Sequence, residues 1–574
     1  MSSFNSQTDS RVKFLAFCFL FLCLILLARL FQEAVLSHKT LTAEAKTQQQ
    51  FSKTELAERG KIYFHDGGSG DDSNYAMAYD TKNFALFVIP KNIIDKKTTA
   101  TKIASFVGET EMKVYDEINN DKLYLPALKK GLSSDDADKI EALDLAGVYV
   151  LPEYARYYPE GDFSAQTLGF VDGNGDGKYG FEGFYNAELT GSNGNVTGEK
   201  DTLGRIISLL GENVPKNGAS YDLSIDRGIN YYMYSSLEQA VQTYQAESGM
   251  AIAIEIKTGK IIGMSSTPSF DPNKYADYAN NNQSDLFKNP LISTAYEPGS
   301  IFKPIIVASG LDTGKITPDS GSTFGSSVNV SGFTIHTAEG TAFGAEKIGD
   351  ILKHSDNVGM VWVGQQIGSP IMDDYIKKFG FKDKTGIDLS GEGVGIIQPL
   401  KDWGQIGQAT MTFGQGISVT PIQLVMAYAA IANGGVAMKP KVADKILNDD
   451  GSSAEIKPQE VGRVISTQTS AELNSMLTQV VENGYGKKAA VPGFWIAGKT
   501  GTAQLVDPAT GKYTEGIFNH SFAGFAPADN PQFALLVELN KPKNAKFAES
   551  SAAPVFGNIA SYILNSYYRI APNR

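Results

Sequence analysis

GFWIAGKT, residues 493–500, decides between two architectures. Letter by letter it is G-x-x-x-x-G-K-T, the loop that cradles nucleotide phosphates between a strand and a helix. An apolar run ending in an acid, FALLVE (533–538), lies downstream where a magnesium-holding strand would be sought. The variable positions argue otherwise. Phe494, Trp495, Ile496 and Ala497 suit a strand, not a flexible loop, and GTAQLVDPATG after Thr500 starts no helix. Lys499 therefore belongs on a strand, and the phosphate cradle cannot form. HSFAGFAP (520–527) and QFALLVEL (532–539) read as the next two strands. Far upstream, GMAIAIEI (249–256) and KIIGMSS (260–266) form a hairpin around Lys257-Thr258-Gly259. Strands at both ends with helices between them predict one α+β domain, its first hairpin returning to the sheet of its last strands. Thr420-Pro421 opens a helix that Asn433-Gly434-Gly435 closes; IQLVMAYAAIA between them is apolar on nearly all sides and should be buried.

The chain has 574 residues and a net charge of −12, and no long basic stripe, which argues against nucleic acid as a partner. Its two cysteines, Cys18 and Cys23, share one apolar run, so neither a disulfide framework nor a cysteine-based zinc site is available. Five scattered histidines show no ligand spacing, and no metal or cofactor is expected. DGNGDGKYGFEG (172–183) opens like a calcium loop, but its twelfth position is Gly183, with Glu182 one place early; a plain turn is the expectation.

FLAFCFLFLCLILLA (14–28), extended by Leu30 and Phe31 and preceded by Arg11 and Lys13, is an apolar segment. Eighteen helical residues span about 27 Å, enough for a bilayer core if Arg29 reaches the interface. No clear cleavage site follows, so an uncleaved anchor is expected, with the tail 1–13 cytoplasmic and the rest extracytoplasmic. Residues 32 to about 60 read as a helical polar stalk. Residues 60–225 read as an elongated module of mixed, irregular structure with strand-like runs such as FALFVIP (84–90). The expected division is tail 1–13, anchor 14–31, stalk and pedestal 32–225, and catalytic domain 226–574.

Lys-Thr-Gly recurs at 257–259, 384–386 and 499–501. The first is a hairpin tip and the second a polar turn after a helix. Only the third has an apolar run leading into it and a strand continuing through Thr502. YEPGSIFKP (296–304) holds Ser300 and Lys303 in S-x-x-K spacing. Gly299 permits a sharp turn and Pro304 fits a first helical turn, so both side chains share a face. HSDNVGM (354–360) supplies S-x-N through Ser355 and Asn357 at another helix start. Each motif alone is weak. In the order S-x-x-K, S-x-N, K-T-G they form the set of serine β-lactamases and penicillin-binding proteins.

The likeness extends further. Arg59-Gly60, RYYPEG (156–161), GFEGFYNAELTG (180–191), DTLGRII (201–207), TGKIIGMSSTPSFDPN (258–273), FGFKDKTGIDLSGE (379–392), FGQGISVTPIQL (413–424) and AAPVF (552–556) all resemble class B penicillin-binding proteins, more the division than the elongation branch. The resemblance implies a transpeptidase domain, an antiparallel sheet with flanking helices and a helical subdomain, behind a dimerisation-type pedestal. Two departures stand out: S-D-N where S-S-N is commoner, and Asn230 where Gln is usual.

A serine hydroxyl needs a base, and Lys303 is the nearest candidate. To act it must be neutral, its pKa falling from about 10.4 toward 7–8 at a cost of about 4 kcal/mol. Burial and the charge of Lys499 would both push that way. Ser355 can relay a proton to the leaving amine, Asn357 can bind Lys303 and the substrate peptide, and Lys499 and Thr500 can hold a terminal carboxylate. By resemblance, Gly501 and Thr502 complete the substrate strand, and the amides of Ser300 and Thr502 form the oxyanion hole. The implied substrate is a peptidoglycan stem peptide ending in D-Ala-D-Ala, with β-lactams acylating the same serine. The implied partners are a membrane glycosyltransferase, since no such domain precedes the pedestal, and divisome proteins. A β-lactamase would need a base for deacylating water, which no glutamate marks. A β-lactam sensor would need a cytoplasmic effector or more membrane spans.

Overall fold

The computed structural model describes residues 5–42, 50–67, 70, 73–200, 206–506 and 513–574. The chain divides into two compact units, one of residues 1–57 and 192–216, the other of 58–191 and 217–574.

The first unit holds the helix Asn5–Phe31. The helical stretch Ser10–Leu36, which continues through Gln32–Leu36, is long and apolar enough to cross a membrane, with a mean hydropathy of 2.7 over its most apolar 18 residues. The helical stalk stops short of expectation. Gln50–Glu55 is a strand, paired antiparallel with Gly194–Lys200, which pairs in turn with Ile206–Asn213. The partner lies about 140 residues away, so no local pattern announces it, and long-range pairing overrides a weak helical preference. Of DTLGRII, residues 201–205 lie outside the described residues.

In the second unit, a seven-stranded sheet joins the pedestal to the C-terminal half. Ser220–Asp226 runs parallel to Ile62–His65 and antiparallel to Ala443–Leu447. The expected boundary at 225/226 thus falls inside a strand whose last residue, Asp226, caps the next helix by accepting the Ile229 amide at 2.8 Å. The quoted pedestal stretches meet around a buried ion cluster. Glu182 is fully buried between Arg59 (Nη2–Oε2 2.6 Å) and Arg156 (Nε–Oε1 2.7 Å). Arg156 also reaches Asp80 at 3.2 Å. Glu182 therefore does not serve the 172–183 loop. There Asp172 accepts the Asn174 and Asp176 amides in a plain turn, and Lys178 lies 3.5 and 3.3 Å from the two aspartates.

The catalytic part is α+β, as the strand pattern predicted. Its antiparallel sheet runs in the order Ile261–Thr267, Ser248–Glu255, Phe533–Asn540, Tyr513–Ala526, Ala497–Val506. The early hairpin does return to the late strands, with Ser248 opposite Asn540. Arg227–Tyr244 and Ala552–Tyr562 cover one face of the sheet. Pro421–Ala432 lies in the core on the other face, capped by Thr420 and Gln423 and buried from Pro421 to Ile431. That leaves Ala497–Val506 as the open edge of the sheet.

Candidate active site

Lys499 stands on that edge strand, as the reading against a phosphate loop required. Glycines let the Ser300 turn approach it. Gly299 has φ +58°, and a Cβ there would lie 3.0 Å from Ala503 Cβ. A Cβ on Gly501 would lie 3.1 Å from both Ile301 Cγ2 and Pro298 O. So the turn 298–301 rides directly over residues 501–503. Its other side is held by the Gly299 amide on Gly414 O (3.0 Å) and by Tyr428 of the buried helix, which donates to Ile301 O at 2.8 Å. Gly299–Phe302 is a tight turn that feeds the helix Lys303–Asp312, with Pro304 in its first turn.

Lys303 and Lys499 are both fully buried. Lys303 Nζ donates to Ser355 O (2.6 Å), Ser355 Oγ (3.3 Å) and Asn357 Oδ1 (2.9 Å). Lys499 Nζ donates to Ser355 Oγ (2.9 Å), Thr500 O (3.1 Å) and Thr500 Oγ1 (3.3 Å). The Ser355 hydroxyl is therefore shared by two buried amines. Its backbone is left-handed, φ +55°, which turns its carbonyl toward Lys303 while Asp356 caps the helix Asn357–Ile367. Burial first, then the charge of Lys499, holds Lys303 well below the usual lysine range. Burial lowers Lys499 to about 7. Both ammonium groups are thus easier to deprotonate than an exposed lysine.

The three motifs converge as expected, with one difference. Among the described residues, Ser300 Oγ makes no hydrogen bond, because Lys303 is turned onto residues 355–357. Thr502 pairs with His520 across the sheet and its Oγ1 accepts the Ala548 amide at 3.2 Å. On an edge strand alternate amides point away from the neighbour, which leaves donors facing the cleft.

Two features escaped the sequence. Glu297, three residues before Ser300, accepts the Gly416 amide (2.9 Å) and the Tyr513 hydroxyl (3.1 Å), tying the 413–416 loop and the strand that follows the Lys499 strand to the Ser300 turn. Asp356 was visible only as the middle letter of S-D-N, and its capping role is what an Asp before a helix signals.

The comparisons agree with this geometry. Residues 249–561 match the penicillin binding protein transpeptidase domain, and residues 54–223 the penicillin-binding protein dimerisation domain. Stage V sporulation protein D of Bacillus subtilis is 35% identical over 510 residues, covering 88% of this chain and 77% of that protein. Peptidoglycan D,D-transpeptidase FtsI of Escherichia coli K12 is 31% identical over 443 residues, covering 76% and 72%. The structure of penicillin binding protein 3 from Mycobacterium tuberculosis, complexed with aztreonam, superposes with a TM-score of 0.69 at 26% identity, covering 91% and 98%. The chain belongs to the class B penicillin-binding proteins and is a peptidoglycan D,D-transpeptidase.

Proposed function

We propose that the chain cross-links stem peptides ending in D-Ala-D-Ala through an acyl-enzyme on Ser300, in septal wall synthesis. The supporting observation is the Ser355 hydroxyl held between two buried amines of lowered pKa, 3.3 Å from Lys303 and 2.9 Å from Lys499. Ser300 Oγ attacks the penultimate D-Ala carbonyl as Lys303 takes its proton. The tetrahedral oxyanion is held by the Ser300 and Thr502 amides. Lys499, Thr500, Gly501 and Thr502 line the strand that receives the terminal carboxylate, with Asn357 on the peptide. Collapse breaks the C–N bond, and the proton returns through Ser355 to the leaving D-Ala amine. A neighbouring stem-peptide amine then attacks the ester, Lys303 takes its proton, and Ser300 is regenerated. A β-lactam acylates the same serine: the ester C–O bond forms as the ring C–N bond opens, and the ring nitrogen takes the proton.

In this reading the apolar helix is a single-pass anchor, residues 1–13 are cytoplasmic and the catalytic domain 226–574 is extracytoplasmic. The stalk and pedestal 32–225 would meet a membrane glycosyltransferase and divisome proteins. The likeness of FGQGISVTP (413–421) and YEPGSIFKP (296–304) to the division branch favours division over elongation. Ser300→Ala abolishes labelling by a fluorescent penicillin, and labelling that persists refutes the nucleophile. A fluorescent fusion forms septal rings; dispersed side-wall patches would reassign it to elongation.

A further inference from the structure

Behind the three motifs lies a second layer of ionisable groups that the reaction above does not use. Glu346 sits on the short strand Gly344–Lys347, just before the helix Ile348–Lys353 that leads into the S-D-N turn. Its carboxyl is buried. Oε1 accepts from His354 Nδ1 at 2.6 Å, and the half-buried His354 ring stacks on Phe343 at 4.9 Å. Oε2 is buried with no hydrogen-bond donor. Asp356, whose two oxygens already accept the Val358 and Gly359 amides at 2.8 and 2.9 Å, is the acid whose hydrogen bonding and charge weigh on Glu346 after burial itself. Two buried acids in contact are not both ionised without a large cost, and a bare buried carboxylate oxygen adds its own desolvation penalty. One proton on Glu346 Oε2 removes both problems, because a protonated carboxyl is a donor. It then donates to Asp356.

We propose that Glu346 is a positioning residue for the general base. It stays uncharged, donates its proton as a hydrogen bond to Asp356, and so leaves Lys303 facing one carboxylate instead of two. The inference rests on the reading of Lys303 as the base.

The electrostatic surroundings fit. Burial and then the contact with Asp356 push the Glu346 carboxyl up to about 8. Burial and Lys353 lower His354, so its neutral ring donates through Nδ1 to Oε1. Asp356 and Glu346 both bear on Lys303 in the direction that favours its ammonium, against burial and Lys499. The other charges near Glu346 are already paired: Lys347 with Asp319 at 2.7 Å, and Asp350 with Lys353 at 2.6 Å. A charged Glu346 would hold the proton on Lys303, whereas a neutral Glu346 that donates to Asp356 weakens that hold.

The test is the pH profile of acylation of the full chain by a fluorescent penicillin. Glu346→Gln keeps a neutral donor and retains the wild-type midpoint of the acid limb. Glu346→Leu leaves Asp356 without the donor, strengthens its field on Lys303, and moves the midpoint up by about half a pH unit, a loss of about threefold in rate on the acid side. Both variants moving the midpoint down would mean that Glu346 is ionised in the wild type. No movement in either would mean that it does not act on Lys303. Either result overturns the proposal. If Glu346→Leu fails to fold, infrared spectroscopy decides. The wild-type-minus-Glu346→Gln difference spectrum then shows a protonated-carboxyl band at neutral pH that fades as pH rises through about 8; a difference spectrum without that band overturns the proposal, the separate band of buried Glu538 cancelling in the subtraction. Lys303→Met, measured alongside, tests the base by itself: if it acylates like the wild type, the reading of Lys303 fails while the infrared result still reports the state of Glu346.

Discussion

Replacing Lys499 with Met should make the protein more stable at acid pH while it loses penicillin labelling. Lys499 is fully buried, and burial alone takes its ammonium from 10.5 to about 7. Such a depression costs the native state about 5 kcal/mol wherever the unfolded chain carries the proton. The sign follows from linkage. The native pKa lies below the unfolded one, so the penalty is complete below about 7 and fades to nothing as pH rises through the unfolded value of 10.5. Methionine fills similar space without a charge. It forfeits three hydrogen bonds, to Ser355 Oγ, Thr500 O and Thr500 Oγ1, at about 1 kcal/mol each. The net gain near pH 6 is therefore about 2 kcal/mol, a rise in Tm of about 2 °C for a chain of this length. Near pH 9 the remaining penalty is about 2 kcal/mol, less than the lost hydrogen bonds, and the advantage disappears. Thermal unfolding of the detergent-solubilised chain at the two pH values reads both effects. A variant less stable than wild type at acid pH, or a difference that ignores pH, would show that Lys499 carries no unfavourable buried charge and would remove the argument for its lowered pKa.

Other substitutions probe the scaffold and the close approach. Glu182→Ala strands Arg59 and Arg156, both buried: among the described residues Asp80 is then the only carboxylate left, and it pairs with Arg156; the substitution should cost about 3 kcal/mol in denaturant unfolding, and a loss under about 1 kcal/mol would refute the cluster's structural role. Gly501→Ala drives a methyl to 2.4 Å from Ser521 Oγ and 3.1 Å from Ile301 Cγ2. It should cut the acylation rate at least about tenfold in a folded protein, since a misplacement of about 1 Å is enough for such losses; an unchanged rate would mean that the Ser300 turn has room to move.

The strand-or-loop question at 493–500 was legible in part: Ala497, Lys499 and Thr500 do stand on a strand, but Phe494, Trp495 and Ile496, read as strand formers, lie in the turn that precedes it. The helix Pro421–Ala432 was legible because its signals are local, with its cap, proline and glycine stop adjacent in the chain. Gln50–Glu55 was not, because what makes it a strand is a partner at 194–199, far beyond any sequence window. The site divides along the same line. Ser300, Lys303, Ser355, Asn357 and Lys499 are readable because they fall in three short motifs of fixed spacing whose order along the chain is itself a signal. Glu346 sits in an ordinary polar run, TAFGAEK, and acquires meaning only when folding sets its carboxyl against Asp356. A group that touches substrate is held to a spacing by the substrate's shape. A group that sets another's charge needs only to be near, and any packed element can deliver it. Motifs therefore mark the reacting atoms, while the field that decides which of them carries a proton is written in tertiary contacts.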